Sequence, residues 1–447
     1  MDPKTDRSPV PRTGRWRRLA RGLRSAAVRR RRMMERRRSN LLHDTVYRRA
    51  RTTVIAAVHA VDDVATGFAR SRSRILFEAA SPMSLAVFQP VLDRLRHDPR
   101  IELWFTTSDR SWNASKLFLP VGIPGRVITS RAARWQKFDA YINADFWNMT
   151  WLPRRTERIH LFHGVAGKYG LDAPTRIAPV VATFDCLMFP NRDRLRRYAE
   201  AGLTDPDGGN AALIGFPKVD CLVDGSLDRR AIERALGLDP ARPTVMYAPT
   251  WSPYSSLNSA GREIIARLGR ENVNLIVKLH DRSYDPSPRG SGGVDWRREL
   301  NAFARRYGIH VAESADASPY LFVSDAIITD HSSVGFEFML LDRPIVAIDC
   351  PALIERASVN PDKVRLLRSA ADVVADGAEA AVTALRALHR PDRLGGRRRE
   401  IAADLFYGAG GATGRAVQRI YDLISLAAPA RDELLAGRQP TMTGGRP

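Results

Sequence analysis

Short apolar runs, each followed by a helical pattern, recur along most of this chain, and that alternation limits its fold more than any other feature. A continuous apolar run bounded by turn residues reads as a strand buried on both faces, whereas apolar residues at spacings of three and four read as one face of a helix. Arg74–Ala79, Ile101–Thr106, Ala140–Asn143, Ile159–Phe162, Cys186–Phe189 and Ala211–Ile214 read as strands. Ser84–His97 reads as a helix with Leu85, Phe88, Val91, Leu92 and Leu95 facing inward, and Arg192–Ala201 as another. The rhythm restarts after a linker and helix in Asp224–Asp239. Strands over Thr244–Ala248, Val273–Leu279, Gly308–Ala312, Ala326–Thr329 and Ile345–Ile348 follow. Helices over Gly261–Gly269, Trp296–Tyr307, Ala317–Phe322 and Ser333–Leu341 separate them, and helices over Glu379–His389 and Thr413–Ala427 close the series. Strand–helix–strand units of this kind build a parallel sheet covered on both faces. The expected fold is therefore α/β, with two doubly wound, Rossmann-type halves of comparable size. Ligands of such halves sit at the carboxyl ends of the strands, here in a cleft between the two.

Length and composition agree. A chain of 447 residues holds two or three domains at roughly 150 residues each. A hydrophobic content of 44% excludes a mainly disordered protein. Cys186, Cys221 and Cys350 are far apart and form no CxxC pair, which excludes a disulfide framework and a cysteine zinc site. The expected divisions are a basic tail over 1–51, a first domain over 52–223, a second over 224–395, closing helices over 396–427 that pack back on both, and a disordered end over 428–447.

The net charge of +21 is concentrated in that tail, where 17 Arg and Lys4 face only Asp2, Asp6, Glu35 and Asp44. Trp16, Leu19, Leu23 and Ala26 or Ala27 form a narrow stripe at helical spacing, surrounded by Arg15, Arg17, Arg18, Arg21 and Arg24. A basic amphipathic helix suits an anionic membrane surface, where apolar insertion and electrostatic attraction add. A disordered basic arm and nucleic-acid binding by counterion release are the other readings. Trp16 and the leucines favour the membrane surface over nucleic acid. The most apolar early stretch, Val54–Val61, is too short to span a bilayer and contains His59. The beginning of the chain also lacks the apolar core of a signal peptide. The expectation is a cytoplasmic protein, peripheral at the inner face of the cell membrane.

Four segments carry groups capable of chemistry, each just after an expected strand. His163-Gly164 lies in a loop that continues to Lys168, where an imidazole can accept a hydroxyl proton and glycine lets a ligand approach the backbone. Thr250 and Trp251 follow the strand ending before Pro249. Lys278 and His280, two apart, would project from one strand face as a phosphate clamp. In Thr329-Asp330-His331-Ser332-Ser333, a strand hands over to a helix with Ser332 placed as N-cap, and the free backbone N–H groups form an anion site. Taken singly, each has a plainer structural reading: a hydrogen-bonded histidine, a packed tryptophan, a solvated pair, a simple cap.

Together, FHGVAGK, IGFPKVDCL, YAPTW, VKLH and DAIITDHSSVGFEFMLLDRPIVAID, in that order over about residues 155–425, resemble the motifs of the CDP-glycerol glycerophosphotransferase family. The resemblance implies a GT-B-like fold, with a first domain for the acceptor and a second for the nucleotide donor. It implies His163 as the base, and His280 with Ser332 and Ser333 at the donor diphosphate. Gly164, Lys168, Thr250, Trp251, Lys278, Thr329, Asp330 and Glu337 join them as expected substrate- or donor-binding residues. The sequence departs from the family pattern at Phe162, Val165-Ala166, Asp281 and His331.

The reaction implied is in-line displacement at the β-phosphorus of a CDP-linked polyol by a hydroxyl of a lipid-linked or polymer acceptor. Glycerol phosphate is the group first expected, with CMP released, in teichoic-acid-like synthesis. No cofactor and no metal are expected, since no acidic cluster of metal-binding spacing accompanies the motifs. Two rivals remain. One is a GT-B glycosyltransferase using a nucleotide sugar, with Glu337 on the ribose. The other is a non-catalytic membrane- or nucleic-acid-binding protein on the same scaffold. Residues 52–150 carry no motif.

Overall fold

A computed structural model describes residues 72–107, 113–119, 126–145, 152, 156–167, 174–390 and 392–429, with Thr53, Val54 and Ala57. The expected tail helix at Trp16–Ala27, Lys168 and most of the end over 428–447 lie outside the described residues. The chain divides into two compact units, residues 1–69 and 70–447. Of the first, the three described residues are helical and exposed.

The second unit holds two six-stranded parallel sheets. The first comprises β1 (Ser73–Glu78), β2 (Ile101–Thr106), β3 (Ala140–Asn143), β4 (Glu157–Leu161), β5 (Cys186–Phe189) and β6 (Ala211–Leu213), in the order β2-β1-β3-β4-β5-β6. The second comprises β7 (Thr244–Tyr247), β8 (Asn274–Val277), β9 (His310–Val311), β10 (Ala326–Thr329), β11 (Ile345–Ile348) and β12 (Asp372–Val374), in the order β12-β11-β10-β7-β8-β9. In each sheet the order reverses once, between β1 and β3 and between β7 and β10. Those reversals are where an open α/β sheet parts its loops and receives a ligand. The strands are largely apolar because both faces are covered: Ile75 and Phe77 enter one core, and Leu76 enters another with Tyr141 and Phe189.

A single apolar core runs from the first sheet to the second. It takes Ile75, Phe77 and Ile142 from one and Met246, Ile276 and Ile327 from the other, joined by Ile214, Phe216, Val219 and Leu222 of the connecting segment. That segment forms a 3-10 turn over Pro217–Leu222. The chain then returns across it. The helix Gly395–Leu405 packs on the helix Arg192–Glu200, and the helix Ala412–Leu423 packs on Pro82–Leu95 and on the 3-10 turn. Gly215 must be glycine here: its φ is +92°, and an added Cβ would drive into the Tyr407 carbonyl oxygen. Arg415 braces the same crossing, donating to the carbonyls of Ile214 (2.7 Å), Tyr407 (2.9 Å) and Gly408 (2.6 Å).

Asp220 fastens the returning chain to the connecting turn. Its buried carboxylate accepts the N–H groups of Gly410 (2.9 Å), Ala412 (3.1 Å) and Thr413 (2.6 Å) at the start of the last helix. Removing a cap typically costs about 1–2 kcal/mol, and orphaned buried donors add to that. Asp220→Ala should therefore lower stability in urea unfolding by about 2–4 kcal/mol. A loss within about 0.5 kcal/mol, the range of ordinary surface changes, would contradict the assignment.

Candidate active site

At the carboxyl edge of the first sheet, β4 ends at Leu161 and the chain turns through Phe162, His163 and Gly164. Phe162 is buried against Phe189 and Tyr198, while His163 is exposed. The His163 Nδ1 lies 2.7 Å from the carbonyl oxygen of Ala144, just beyond β3. A carbonyl oxygen can only accept, so Nδ1 carries the proton, and in the neutral ring Nε2 carries the lone pair. The following loop is tied down from behind. Arg194 donates to the Gly164 carbonyl at 2.5 Å, with its guanidinium 4.8 Å from the Phe162 ring centroid. Asn191 donates to the carbonyls of Val165 (3.2 Å) and Leu405 (3.0 Å). An added Cβ at Gly164 would meet nothing within 4 Å, so internal packing does not demand glycine there.

Behind this edge runs a buried polar chain. Glu78, Asn143 and His160 stand in lateral register across β1, β3 and β4, so they share one face of the sheet, with Tyr141 two residues before Asn143. The Tyr141 hydroxyl donates to Glu78, Asn143 Nδ2 donates to that hydroxyl at 2.9 Å, and His160 Nδ1 lies 3.0 Å from Asn143 Oδ1. Burial, with His163 and Arg194 nearby, pulls His160 down to about 3. His160 is therefore neutral, and its Nδ1–H donates to Asn143.

At the second sheet, the expected residues gather at the reversal between β7 and β10, but several are turned inward. Asp330 is fully buried. Its Oδ1 accepts the N–H of Thr250 (2.8 Å) and of His331 (2.5 Å), and its Oδ2 accepts Ser256 N–H (3.0 Å) and Oγ–H (2.9 Å). Thr329, also buried, donates its hydroxyl to the Ala248 carbonyl at 2.7 Å. These polar groups pin the loop after β7 to the end of β10. A buried carboxylate needs such partners, because leaving it unsatisfied is costly. Thr250 is buried in the same contact through its N–H, whereas Trp251 is half-exposed. The Trp251 ring centroid lies 5.9 Å from that of His280 and 4.7 Å from the Arg282 guanidinium.

Lys278 and His280 were expected side by side on a strand. β8 ends at Val277, so strand alternation no longer governs them. Lys278 is only 8% exposed, and its ammonium donates to the carbonyl of its neighbour Leu279 at 2.8 Å. Burial pulls it below the ordinary lysine value, and the like charge of Lys218 adds to that. His280 instead caps the 3-10 turn Asp281–Tyr284, where its Nδ1 accepts the Arg282 N–H at 3.2 Å. An accepting Nδ1 puts the ring proton on Nε2, the reverse of His163.

Ser332 occupies the N-cap of the helix Ser333–Phe338, as expected, although its hydroxyl makes no capping bond; Ser333 is exposed. Glu337 lies one turn into that helix, buried, with both carboxylate oxygens 2.8 Å from the Lys218 ammonium. Burial disfavours the Lys218 charge, but Glu337 and Asp316 together outweigh it and hold this lysine above its ordinary value. Sequence reasoning missed the Ala144 carbonyl, Asn191, Arg194 and the role of Lys218. Only Lys218 left a trace, inside a motif with no role attached. Among the described residues no group of three or more His, Cys, Asp or Glu could hold a metal ion, and no helix is long and apolar enough to cross a membrane.

Residues 127–425, more than half of the chain, match the model of the family described as CDP-glycerol:poly(glycerophosphate) glycerophosphotransferase. The chain belongs to that family. It is 29% identical over 164 residues to a teichoic acid poly(glycerol phosphate) polymerase of Staphylococcus epidermidis, covering 36% of this chain and 22% of the relative. It is 24% identical over 210 residues to a teichoic acid glycerol-phosphate primase of Bacillus subtilis, covering 43% and 50%. Neither match thus spans more than half of the relative's length. The fold is similar to that of the wall teichoic acid polymerase TagF, with a TM-score of 0.57 at 14% identity over 96% of this chain and 99% of that one. The two doubly wound sheets are accordingly GT-B-like.

The neutral state of His160 sets a pH dependence of stability. An unfolded chain takes up a proton on this imidazole below pH 6.5, whereas the native state refuses it until about pH 3. Stability should therefore fall with acidification across that window, by up to about 1.4 kcal/mol per pH unit from this group. His160→Gln keeps an amide donor for Asn143 and does not titrate, so its unfolding free energy should fall less steeply from pH 6.5 to 4. Parallel slopes for the two proteins would refute the assignment.

Proposed function

We propose that this chain transfers a polyol phosphate, glycerol phosphate in the first instance, from a CDP-activated donor to a hydroxyl of a lipid-linked or polymer acceptor, releasing CMP. The observation that carries the reading is the opposite tautomers of its two strand-end imidazoles. His163 offers Nε2 as a proton acceptor, and His280 offers Nε2–H as a proton donor. In-line transfer to a hydroxyl can use a proton acceptor at the attacking oxygen and a hydrogen-bond donor at the phosphoryl oxygens.

In this scheme the acceptor hydroxyl gives its proton to His163 Nε2 as its oxygen attacks the β-phosphorus of the donor. A new phosphodiester bond forms, the bond from that phosphorus to the oxygen bridging the α-phosphate breaks, and CMP leaves with the electron pair. Nδ1–H, held by the Ala144 carbonyl, spreads the charge of the imidazolium. His280 donates to a phosphoryl oxygen. Ser332, Ser333 and the first N–H groups of their helix take others, since the cap hydroxyl is not spent on its own helix. Lys278 adds a buried positive charge. Gly164 leaves room for the acceptor, and Trp251 borders the donor beside His280. Asp330, Thr329 and Thr250 hold the donor loop in shape, and the Lys218–Glu337 pair holds the helix that follows. We assign Lys168 to acceptor binding.

The basic tail over 1–51 would bring the enzyme to the anionic inner face of the cell membrane, where a lipid-linked acceptor resides. Removing residues 1–51 should abolish co-sedimentation with vesicles rich in phosphatidylglycerol at low salt. Undiminished binding would assign the membrane contact elsewhere.

The test uses CDP-glycerol with a short oligo(glycerol phosphate) on a synthetic lipid, following CMP release and chain extension, with UDP-sugars as alternative donors. CDP-glycerol should be consumed and UDP-sugars left intact. His163→Ala should reduce turnover by at least about 100-fold with an unchanged melting temperature. Wild-type turnover in that variant, or release of UDP in place of CMP, would overturn the reading.

A further inference from the structure

The carbonyl that orients His163 is itself anchored on both sides. Ala144 is buried and follows β3 directly. On its amino side, Asn143 is held in the buried chain that joins Tyr141, Glu78 and His160. On its carboxyl side, Asp145 Oδ2 accepts the Ser84 hydroxyl at 2.9 Å and the Ala80 N–H at 3.3 Å. Ser84 lies in the first turn of the helix Pro82–Leu95, whose N-cap is Ser81. Asp145 thus bridges β1 and β3 at the reversal of the first sheet, with its negative charge at the start of a 14-residue helix, where the dipole favours it.

The rotation of the Ala144 peptide decides where its oxygen points. Pinned only through Asn143, that peptide could still swing about the bonds that follow it. The second anchor removes that freedom. We infer that Asp145 is a positioning residue for the reaction: tethered to the start of the helix Pro82–Leu95, it fixes the Ala144 carbonyl and through it the ring of His163. This inference rests on the reading of His163 as the base. It adds a residue that no sequence motif marks.

The experiment measures kcat and KM for CDP-glycerol, with oligo(glycerol phosphate) on a synthetic lipid as acceptor. A misplacement of about 1 Å can cost about 100-fold in rate. Asp145→Ala should therefore lower kcat about 10- to 100-fold while leaving KM for CDP-glycerol within about twofold. Asp145→Asn keeps an oxygen for the Ser84 hydroxyl and should recover most of the loss. Ser84→Ala cuts the same tether from the other end. The double variant Asp145→Ala/Ser84→Ala should then be no slower than the slower single variant, the non-additivity expected of two ends of one contact. If Asp145→Ala does not fold, Ser84→Ala and Asp145→Asn carry the test.

His163→Ala, measured alongside, separates the two levels. If it turns over like the wild type, the base assignment and this inference fall together. If it is inactive while Asp145→Ala and Ser84→Ala keep wild-type kcat, the inference alone is overturned. It is equally overturned if Asp145→Asn is no better than Asp145→Ala, or if only KM moves.

Discussion

The hydrogen bond between His163 Nδ1 and the Ala144 carbonyl, 2.7 Å long, determines what the first sheet can do. An imidazole at a strand end with neither nitrogen committed samples both tautomers and several ring orientations. This one has its donor nitrogen fixed against a backbone acceptor, which puts the lone pair on the other nitrogen. Across the connecting segment, His280 is fixed in the opposite sense by the Arg282 N–H. Neither assignment depends on a remote charge, because each follows from whether the partner atom can donate or accept. A proton acceptor on one sheet edge and a proton donor on the other is an arrangement suited to moving a phosphoryl group between two oxygens.

The rest of the second unit keeps these edges in place. The apolar core is continuous through Ile214, Phe216, Val219 and Leu222, and the polar fastenings fall where the chain crosses back over that segment. Gly215 admits the Tyr407 carbonyl, Arg415 collects three carbonyls, and Asp220 collects three N–H groups. Lys218 reaches from the same turn to Glu337 in the helix that begins at the serine pair. Breaking such a buried pair on one side leaves a lone charge out of water, which costs about 3–5 kcal/mol. The connecting segment is thus a packed structural joint, and it holds the helix that begins at Ser332 and Ser333.

Elements with a strong period were legible in the sequence. The strands Ile101–Thr106, Ala140–Asn143, Cys186–Phe189, Ala326–Thr329 and Ile345–Ile348 and the helix Trp296–Tyr307 have the bounds that their apolar pattern indicated. β12 was missed because only three residues form it, two of them exposed at a sheet edge. The helices Pro351–Glu355 and Pro361–Arg368 were missed because each is short and begins at a proline that also reads as a turn. At the site, the motifs mark loops at the carboxyl ends of strands but carry no information on how their side chains are oriented. Asp330 and Glu337 are named by the family resemblance, and the structure engages each with partners inside the protein. Their partners, Thr250 and Ser256 for one and Lys218 for the other, lie 74 to 119 residues away in sequence. Contacts of that range leave no local pattern. The Ala144 carbonyl left no signal because every residue has a carbonyl.

The tautomers themselves can be measured. In protein labelled with ¹⁵N-histidine and assigned with His163→Gln and His280→Gln variants, long-range ¹H–¹⁵N spectra at pH 8 distinguish a protonated ring nitrogen from one bearing a lone pair. The account requires a protonated Nδ1 and an unprotonated Nε2 on His163, and the reverse on His280. A His163 ring protonated at Nε2 alone would contradict it, since the group taken as the base would then have no lone pair to offer the acceptor hydroxyl.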